Sequence, residues 1–282
     1  MKLLFTIMLS FICANNVIAK SRIEAKDLFV HESGKQNSKT IVFLHGSGSN
    51  SNMWLKHIAA LETDFHCLAP DFPGHGKSNN TEWTKLSEVA DAVGEIIKIK
   101  GHGKVHIVGL SLGGSLIYNL LERYPELIDK AIIDGASAVP ISGSAFVILG
   151  VNLSSPFLKT KMMMNIMAKG IGIPEDQYAT FKEDISQVSR KSFRRAMSQA
   201  NRSKVDLNSC SFSSPTFFVS GENESKTMHN SHLVLSKKIP ESECARYPGK
   251  GHAWMVSDIQ THIELLKYWF QNDKFPKLLE SY

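Results

Sequence analysis

The segment Gly109-Leu110-Ser111-Leu112-Gly113 constrains the fold of this chain more than any other part of its sequence. It follows Lys104–Val108, which has the β-branched character of a strand, and precedes the amphipathic run Ser115–Tyr124. A strand, a G-x-S-x-G turn and a helix form the context of a nucleophile elbow, where flanking glycines leave room for a sharp turn. The helix directs free backbone N–H groups and its positive dipole end toward a developing oxyanion. The pattern predicts Ser111 as a nucleophile; the alternative is an ordinary glycine-rich turn.

Short apolar runs alternate with helical periodicity along much of the chain. Thr40–Leu44 is a continuous apolar run, as expected of a strand buried on both faces. Ala131–Asp134 and Pro215–Val219 are further short strands, and Leu86–Lys100 has the period of an amphipathic helix. This alternation predicts an α/β protein with a mostly parallel central sheet flanked by helices.

The alternation stops after residue 134. The next seventy or so residues contain no clear strand, but they hold an apolar stretch, a methionine-rich segment (157–168) and a polar helical stretch. We therefore expect a helical cap inserted into the α/β core. The expected divisions are a targeting segment at 1–19, the two parts of the core at 20–137 and 209–282, and the cap at 138–208.

The N-terminus has the three parts of a secretory signal peptide. Lys2 gives a basic start, Leu3–Ala14 is apolar and uncharged, and Val17-Ile18-Ala19 supplies small residues for cleavage after Ala19. The apolar run is too short to be a permanent transmembrane helix. We expect an exported protein, periplasmic or secreted. A lipid anchor at Cys13 would require a small residue where Ile12 stands, and a buried N-terminal strand is the other alternative.

The composition is that of a globular protein with a sizeable core. Hydrophobic residues make up 43% of the 282 residues and charged residues 21%, with a formal net charge of +5. The basic residues are spread along the chain, and the one local cluster is Arg190-Lys191 with Arg194-Arg195. Helical spacing favours a solvated helix face there over a nucleic-acid site. We expect no nucleic-acid partner.

The cysteines leave one question open. Cys67 lies in an apolar strand and is expected to be a small buried hydrophobic residue. Cys210 and Cys244 could pair in an oxidising compartment, and the sequence does not decide this. No spacing of Cys and His typical of a metal site occurs, and a reaction carried out by a serine nucleophile implies neither a metal nor an organic cofactor.

A serine nucleophile needs a base to accept its proton. His252 follows the strand-like segment Glu243–Tyr247 in a glycine-containing loop, and it comes last in the order serine, acid, histidine. We therefore predict His252 as the general base. His45 and His75 lie in loops at the same edge of the sheet, where we expect them to form structural hydrogen bonds; either one is the alternative base.

The acid that orients the base has three candidates. Glu224 follows the strand Pro215–Val219, where a carboxylate of this kind is expected, and it is our first choice. Glu222 lies in the same loop. Asp134 ends a different strand at the same edge of the sheet. The oxyanion hole should use two backbone N–H groups, one from Leu112 and one from Ser47 in the loop after the first buried strand.

Taken together, these motifs resemble those of the α/β-hydrolase superfamily, in its cap-bearing, esterase- and lipase-like branch. The resemblance implies the α/β-hydrolase fold with the cap inserted after the sixth strand. The superfamily usually has Asp where this chain has Glu224, which leaves the choice of acid open. The matching residues are His45-Gly46-Ser47-Gly48, Trp54, Asp71–Ser78, Gly109–Gly114, Gly221–Glu224 and Gly251-His252.

The resemblance implies a serine hydrolase that cleaves carboxylic esters through an acyl-enzyme intermediate. Alternatives on the same three residues are amide or thioester hydrolysis, acyl transfer and cofactor-free perhydrolysis, and a further alternative is a non-catalytic ligand-binding protein. The expected partner is a small-molecule ester with an apolar acyl part, because methionines in the cap suit an adaptable pocket; they could equally form the cap's own core. Oligomeric state is left open by the sequence.

Overall fold

The computed structural model describes residues 22–282, which contain one eight-stranded sheet. Its strands lie in the order β1-β3-β2-β4-β5-β6-β7-β8. β1 and β8 are antiparallel to their neighbours, and every other neighbouring pair is parallel. The strands are β1 (Val30–Ser33), β2 (Thr40–Leu44), β3 (His66–Pro70), β4 (Val105–Leu110), β5 (Ile128–Asp134), β6 (Thr216–Gly221), β7 (Glu243–Tyr247) and β8 (Glu280–Ser281).

Helices cover both faces of this sheet. Every residue of β2, β4 and β6 is buried, which explains why their sequences are apolar without alternation. The helices are α1 (Leu55–Leu61), α2 (Leu86–Lys100), α3 (Leu112–Arg123), α4 (Ser144–Ser154), α5 (Lys161–Ile171), α6 (Tyr178–Gln187), α7 (Arg190–Ala200), α8 (Lys226–Lys238), α9 (Trp254–Ser257) and α10 (Ile259–Gln271). The predicted α/β-hydrolase fold, with its mostly parallel sheet, is confirmed.

Two glycines let α3 approach the sheet closely. A Cβ atom on Gly113 would lie 2.2 Å from the carbonyl oxygen of Leu44, and one on Gly109 would lie 2.5 Å from the carbonyl carbon of Gly113. Neither separation is compatible with a side chain. The end of β4, the start of α3 and the end of β2 are therefore packed backbone against backbone, which fixes the turn that carries Ser111.

Helices α4 to α7 lie between β5 and β6 in the chain, within the segment 138–208. The expectation that they follow the sixth strand is wrong for the described residues, where they follow the fifth. The reason is that the segment 22–39 contributes one strand, β1, before β2. These helices have a small apolar core of their own, which consists of Leu158, Ile185, Val188 and Phe193. We call α4–α7 the cap.

The cysteines and the N-terminal segment were the subject of further sequence-based expectations. Cys67 is fully buried in β3, as predicted, and both Cys210 and Cys244 are free thiols. The predicted signal peptide lies outside the described residues. Among residues 22–282, no helix combines the length and the apolar character needed to cross a bilayer.

Candidate active site

Ser111 lies on a strained turn at the carboxyl end of strand β4, directly before helix α3. Its φ of 55° and ψ of −108° are unfavourable for a residue with a side chain, and such strain costs about 1–3 kcal/mol. Two hydrogen bonds hold it: the Ser111 N–H donates to the Asp134 carbonyl oxygen at 2.8 Å, and the Ser115 N–H donates to the Ser111 carbonyl oxygen at 2.9 Å. Residues are held in such conformations mainly at functional sites. The geometry is that of the predicted elbow.

Two backbone N–H groups beside Ser111 are available to a ligand. Leu112 is the first residue of α3, whose N–H has no partner within the helix. Ser47 lies in the loop after β2 and lines the same cavity as Ser111. Within the part of the chain that the structure describes, neither N–H donates a hydrogen bond to another protein group. These are the two groups that the sequence predicts for an oxyanion hole.

His252 is paired with Glu224. The Nδ1 atom of His252 lies 2.5 Å from Oε1 of Glu224, and the side chains are 29% and 15% exposed. Gly135 has a φ of +57°, and a Cβ atom there would lie 3.1 Å from Cε1 of His252. The imidazole therefore rests against backbone on one side and is held by a carboxylate at Nδ1, which leaves Nε2 for other partners.

The electrostatics of this pair favour the protonated imidazole. Burial lowers the pKa of His252, but the hydrogen bond and the charge of Glu224 raise it by more, and the net pKa lies above the ordinary 6.5. Among residues 22–282, the Ser111 hydroxyl forms no hydrogen bond with His252. Both side chains line one cavity. Catalytic hydrogen bonds are often long before substrate binds and shorten in the substrate complex, so a Ser111–His252 hydrogen bond is expected there.

The other two candidate acids have different partners. The Glu222 carboxylate accepts a hydrogen bond from the Gly249 N–H at 2.7 Å and so shapes the loop that precedes His252. Asp134 is completely buried and accepts a hydrogen bond from Nε1 of Trp254 at 2.9 Å. The structure therefore brings Glu224, and neither Glu222 nor Asp134, into hydrogen-bond contact with His252.

Asp134 belongs to a buried aromatic cluster behind the site. Burial raises its pKa to about 8, so the carboxyl group is mostly protonated at neutral pH. Nε2 of His262 lies 3.6 Å from its Oδ2, and burial keeps that imidazole neutral by lowering its pKa. The rings of His57 and His262 are 5.0 Å apart, and burial lowers the pKa of His57 to about 3. No local sequence motif marks this cluster.

His45 and His75 are structural, as predicted. Nε2 of His45 accepts a hydrogen bond from the Phe72 N–H at 2.9 Å, and Nδ1 of His75 lies 3.0 Å from the Pro73 carbonyl oxygen. Both rings are fully buried, and burial lowers the pKa of His45 to about 4 and that of His75 to about 3. His45 fastens the loop after β2 to the loop after β3, whereas the hydrogen bond of His75 lies within the second of these loops. In the described residues, no group of three or more His, Cys, Asp or Glu side chains is arranged to hold a metal ion.

Comparison with known proteins agrees with this geometry. The family model described as alpha/beta hydrolase fold matches residues 39–164, which include the elbow and the loop that carries Ser47. The chain has the α/β-hydrolase fold. The relatives that it resembles support a hydrolase.

Three proteins illustrate the range of similarity. This α/β hydrolase is 24% identical over 241 residues to the putative carbamate hydrolase RutD of Agrobacterium fabrum, a match covering 81% of this chain and 92% of that protein. It is 31% identical over 103 residues to carboxylesterase YbfK of Bacillus subtilis, which covers 36% of this chain and 35% of the relative. The solved enol-lactonase of Burkholderia xenovorans LB400 superposes with a TM-score of 0.74 at 16% identity, covering 86% and 96% of the two chains.

The cavity of the hydrolase lies between the cap and the core, and its volume is about 400 Å³. Ser111, His252 and Ser47 form one part of its wall. The cap contributes mostly apolar side chains, among them Met167 of α5. Met167 also packs against the cap's own core, so it lies both in the cavity wall and beside that core. Other apolar lining residues are Met53, Leu110, Ile171, Ile173, Phe181, Phe193, Met197, Val256 and Ile259.

The cap of the hydrolase is hydrogen-bonded to the loops that carry the site. Asp184 of α6 accepts from Nδ2 of Asn50 at 2.8 Å, and burial raises its pKa to about 6. The Ala253 N–H, next to His252, donates to the Ile171 carbonyl oxygen of α5 at 3.0 Å. Sequence reasoning missed these cap residues, because an isolated acid or a helix end carries no local motif for a long-range contact.

Proposed function

We propose that this α/β hydrolase is a serine hydrolase that cleaves carboxylic esters through an acyl-enzyme intermediate. The observation that carries the proposal is the 2.5 Å hydrogen bond between Glu224 and His252, in a cavity shared with the strained Ser111. A carboxylate on Nδ1 fixes the tautomer in which Nε2 can accept a proton from a serine. The proposed catalytic residues are therefore Ser111, His252 and Glu224.

The first half of the proposed reaction acylates the enzyme. Oγ of Ser111 attacks the ester carbonyl carbon while Nε2 of His252 removes the hydroxyl proton, and Glu224 stabilises the imidazolium that forms. The negative charge on the former carbonyl oxygen is met by the N–H groups of Ser47 and Leu112. His252 then protonates the leaving alkoxide, and the alcohol departs.

The second half regenerates the free enzyme. A water molecule transfers a proton to Nε2 of His252 and attacks the acyl carbon, and the same two N–H groups stabilise the second oxyanion. Collapse of this intermediate releases the carboxylic acid and returns the proton to Ser111. Each atom and proton is accounted for by these residues and water.

The form of the cavity supports an ester with an apolar acyl part. Six of the ten lining residues from the segment 138–208 are apolar, among them Met167, Phe181 and Met197, and the other four are Asp176, Gln177, Thr180 and Asp184. Ligand pockets commonly combine an apolar lining with a few positioned polar groups. Relatives named carboxylesterase and enol-lactonase are consistent with ester bonds, since a lactone is a cyclic ester.

The experiment that tests this proposal combines labelling with a substrate panel. We expect a fluorophosphonate probe to react with the protein and peptide mapping to locate the adduct on Ser111. We expect p-nitrophenyl esters to be hydrolysed faster than matched amide, thioester and carbamate substrates. An enzyme that is labelled on Ser111 but prefers one of the other substrates would retain the nucleophile and refute the ester assignment.

A further inference from the structure

The first helix of the cap exposes an apolar face. In α4, Phe146, Leu149 and Leu153 recur at helical spacing and are 79%, 53% and 68% exposed. Phe157 continues the stripe in the 3-10 turn Ser155–Phe157 and is also exposed. Of the twelve exposed large hydrophobic side chains in the described residues, seven lie between positions 146 and 166. Such clustering, unlike scattered exposed leucines, indicates an interaction surface.

Helix α5 also exposes apolar side chains, while its other side lines the cavity. Met162 and Ile166 are exposed and lie one helical turn apart, whereas Met167 lines the cavity and Ala168 is buried. One helix therefore separates the outer apolar surface from the interior of the candidate active site. We call the exposed side chains of Phe146, Leu149, Leu153, Phe157, Met162 and Ile166 the apolar cap face.

Within the segment that carries the apolar cap face, the charged residues have one sign. Residues 135–174 include no Asp or Glu, and their three charged residues are Lys159, Lys161 and Lys169, all exposed. Lys159 has its pKa lowered by partial burial and by the positive charge of Arg190, which adds a fourth cation to this region. Among residues 22–282, no ion pair involves these three lysines. They are therefore available to an external anion.

This combination selects among possible partners. A symmetric contact between two copies would place the same patch on both sides, and lysine would then face lysine without a neutralising acid. Phosphate headgroups above acyl chains present the complementary pattern, since they offer negative charge at the rim and an apolar interior. Surface-bound amphipathic helices have this composition, with aromatic and leucine side chains inserted and lysines at the headgroups.

We propose that the apolar cap face docks this protein on an anionic lipid surface. α4 has eleven residues, and in this arrangement it lies along the surface with its apolar side chains in the headgroup region. α5 would then hold the cavity directly behind the docked face. An ester whose acyl chain partitions into lipid would be concentrated at this site. This advantage rests on the proposed function, but the docking does not depend on it.

Vesicle sedimentation tests the docking directly. The chain from Lys20 to Tyr282 is the appropriate form, because it contains every described residue and lacks an N-terminal apolar run that would itself bind lipid. We expect it to bind vesicles of phosphatidylcholine with phosphatidylglycerol at least roughly tenfold more strongly than pure phosphatidylcholine, with the preference weakened by salt. Ser111→Ala should bind equally well, so docking can be judged whether or not the protein is an esterase.

Two variants and a control locate the binding surface. We expect the triple variant Phe146→Ser, Leu149→Ser, Leu153→Ser to lose binding roughly tenfold or more to both kinds of vesicle. The triple variant Lys159→Gln, Lys161→Gln, Lys169→Gln should lose only the preference for anionic vesicles. Ile99→Ser with Leu278→Ser removes exposed apolar side chains elsewhere and should bind like the wild type. Thermal unfolding checks that each variant is folded.

Three results would overturn the proposal. The first is equal binding by the wild type and by both cap variants. The second is equal affinity of the wild type for neutral and anionic vesicles. The third is a stable dimer in light scattering that the serine substitutions dissociate without a change in vesicle binding, since the occupant would then be a second copy of the chain.

Discussion

Glu224 and Asp134 are carboxyl groups at the same edge of the sheet in different surroundings. Glu224 is partly exposed and bonded to His252, whereas Asp134 is fully buried and bonded to an indole N–H. Burial outweighs the Trp254 hydrogen bond and the charge of His252, raises the pKa of Asp134 to about 8 and makes it an unsuitable anionic partner. The environment of each residue, more than its position at a strand end, determines which one can stabilise an imidazolium.

At this scale the first prediction concerns Glu224. We expect Glu224→Gln to lower kcat by roughly 10²–10⁴-fold, because an amide can neither hold the required tautomer nor stabilise the imidazolium. Glu222→Gln is the matched control in the same loop and should change kcat little. Similar losses in the two variants, with folding checked by circular dichroism, would remove Glu224 from its proposed role.

The same pair predicts a pH dependence. Because the base must be neutral, kcat/KM of the wild type should rise with pH through the pKa of His252, which lies above 6.5. Glu224→Gln removes the hydrogen bond and the charge that raise this pKa, so the acidic limb should move to lower pH. A limb that stays in place in the variant would show that Glu224 does not set the pKa of the base.

Asp134→Asn should preserve activity and stabilise the protein at neutral pH. Below pH 3.8 the group is protonated in both folded and unfolded states; between 3.8 and about 8 only the unfolded state ionises, so stability falls as pH rises. Asparagine does not carry this cost and can still accept the Trp254 hydrogen bond. We expect a gain of roughly 1–4 kcal/mol near pH 7 in denaturant titrations. A variant that is less stable there, or inactive, would contradict this account.

At the level of elements, helix α5 is expected to set the acyl-chain preference. Met167→Trp adds bulk on the cavity side, so kcat/KM for long-chain p-nitrophenyl esters should fall roughly tenfold while acetate hydrolysis changes little. Met162→Trp on the exposed side of the same helix is the control and should leave both rates unchanged. Equal loss for short and long esters would mean that Met167 does not line the acyl pocket.

The buried elements were predictable from the sequence, and the edges of the sheet were not. β2 and α2 have the predicted boundaries, because continuous burial gives an apolar run and one-sided burial gives a helical period. β1 has four half-buried residues and β8 has two exposed ones, so neither leaves an apolar pattern. Short edge strands are defined by pairing with a distant neighbour, which a local pattern cannot report.

The candidate site was predictable in its local parts. Ser111 follows from the strand, turn and helix around it, and the loop position of His252 follows from its glycines. The choice among Glu224, Glu222 and Asp134 depended on where three separate segments meet in space, as did the contact between Asp184 and Asn50. Such choices require the tertiary structure because each pair is far apart in the chain.

For the whole molecule, we propose export with cleavage after Ala19. The expectation rests on Lys2, on the uncharged run Leu3–Ala14 and on the small residues at positions 17 and 19. N-terminal sequencing of protein recovered outside the cytoplasm should therefore begin at Lys20. Recovery of a chain that begins at Met1, or of a lipid on Cys13, would contradict this proposal.

The most direct test of the central claim is the turnover of p-nitrophenyl acetate by Ser111→Ala. The account predicts a loss in kcat of roughly 10⁶-fold, the order seen when the nucleophile of a serine protease is removed. Thermal unfolding should show an intact fold with little change in stability, because the two hydrogen bonds that hold the turn are made by the backbone of residue 111 and alanine retains them. Hydrolysis by the folded variant at a rate near that of the wild type would contradict the account.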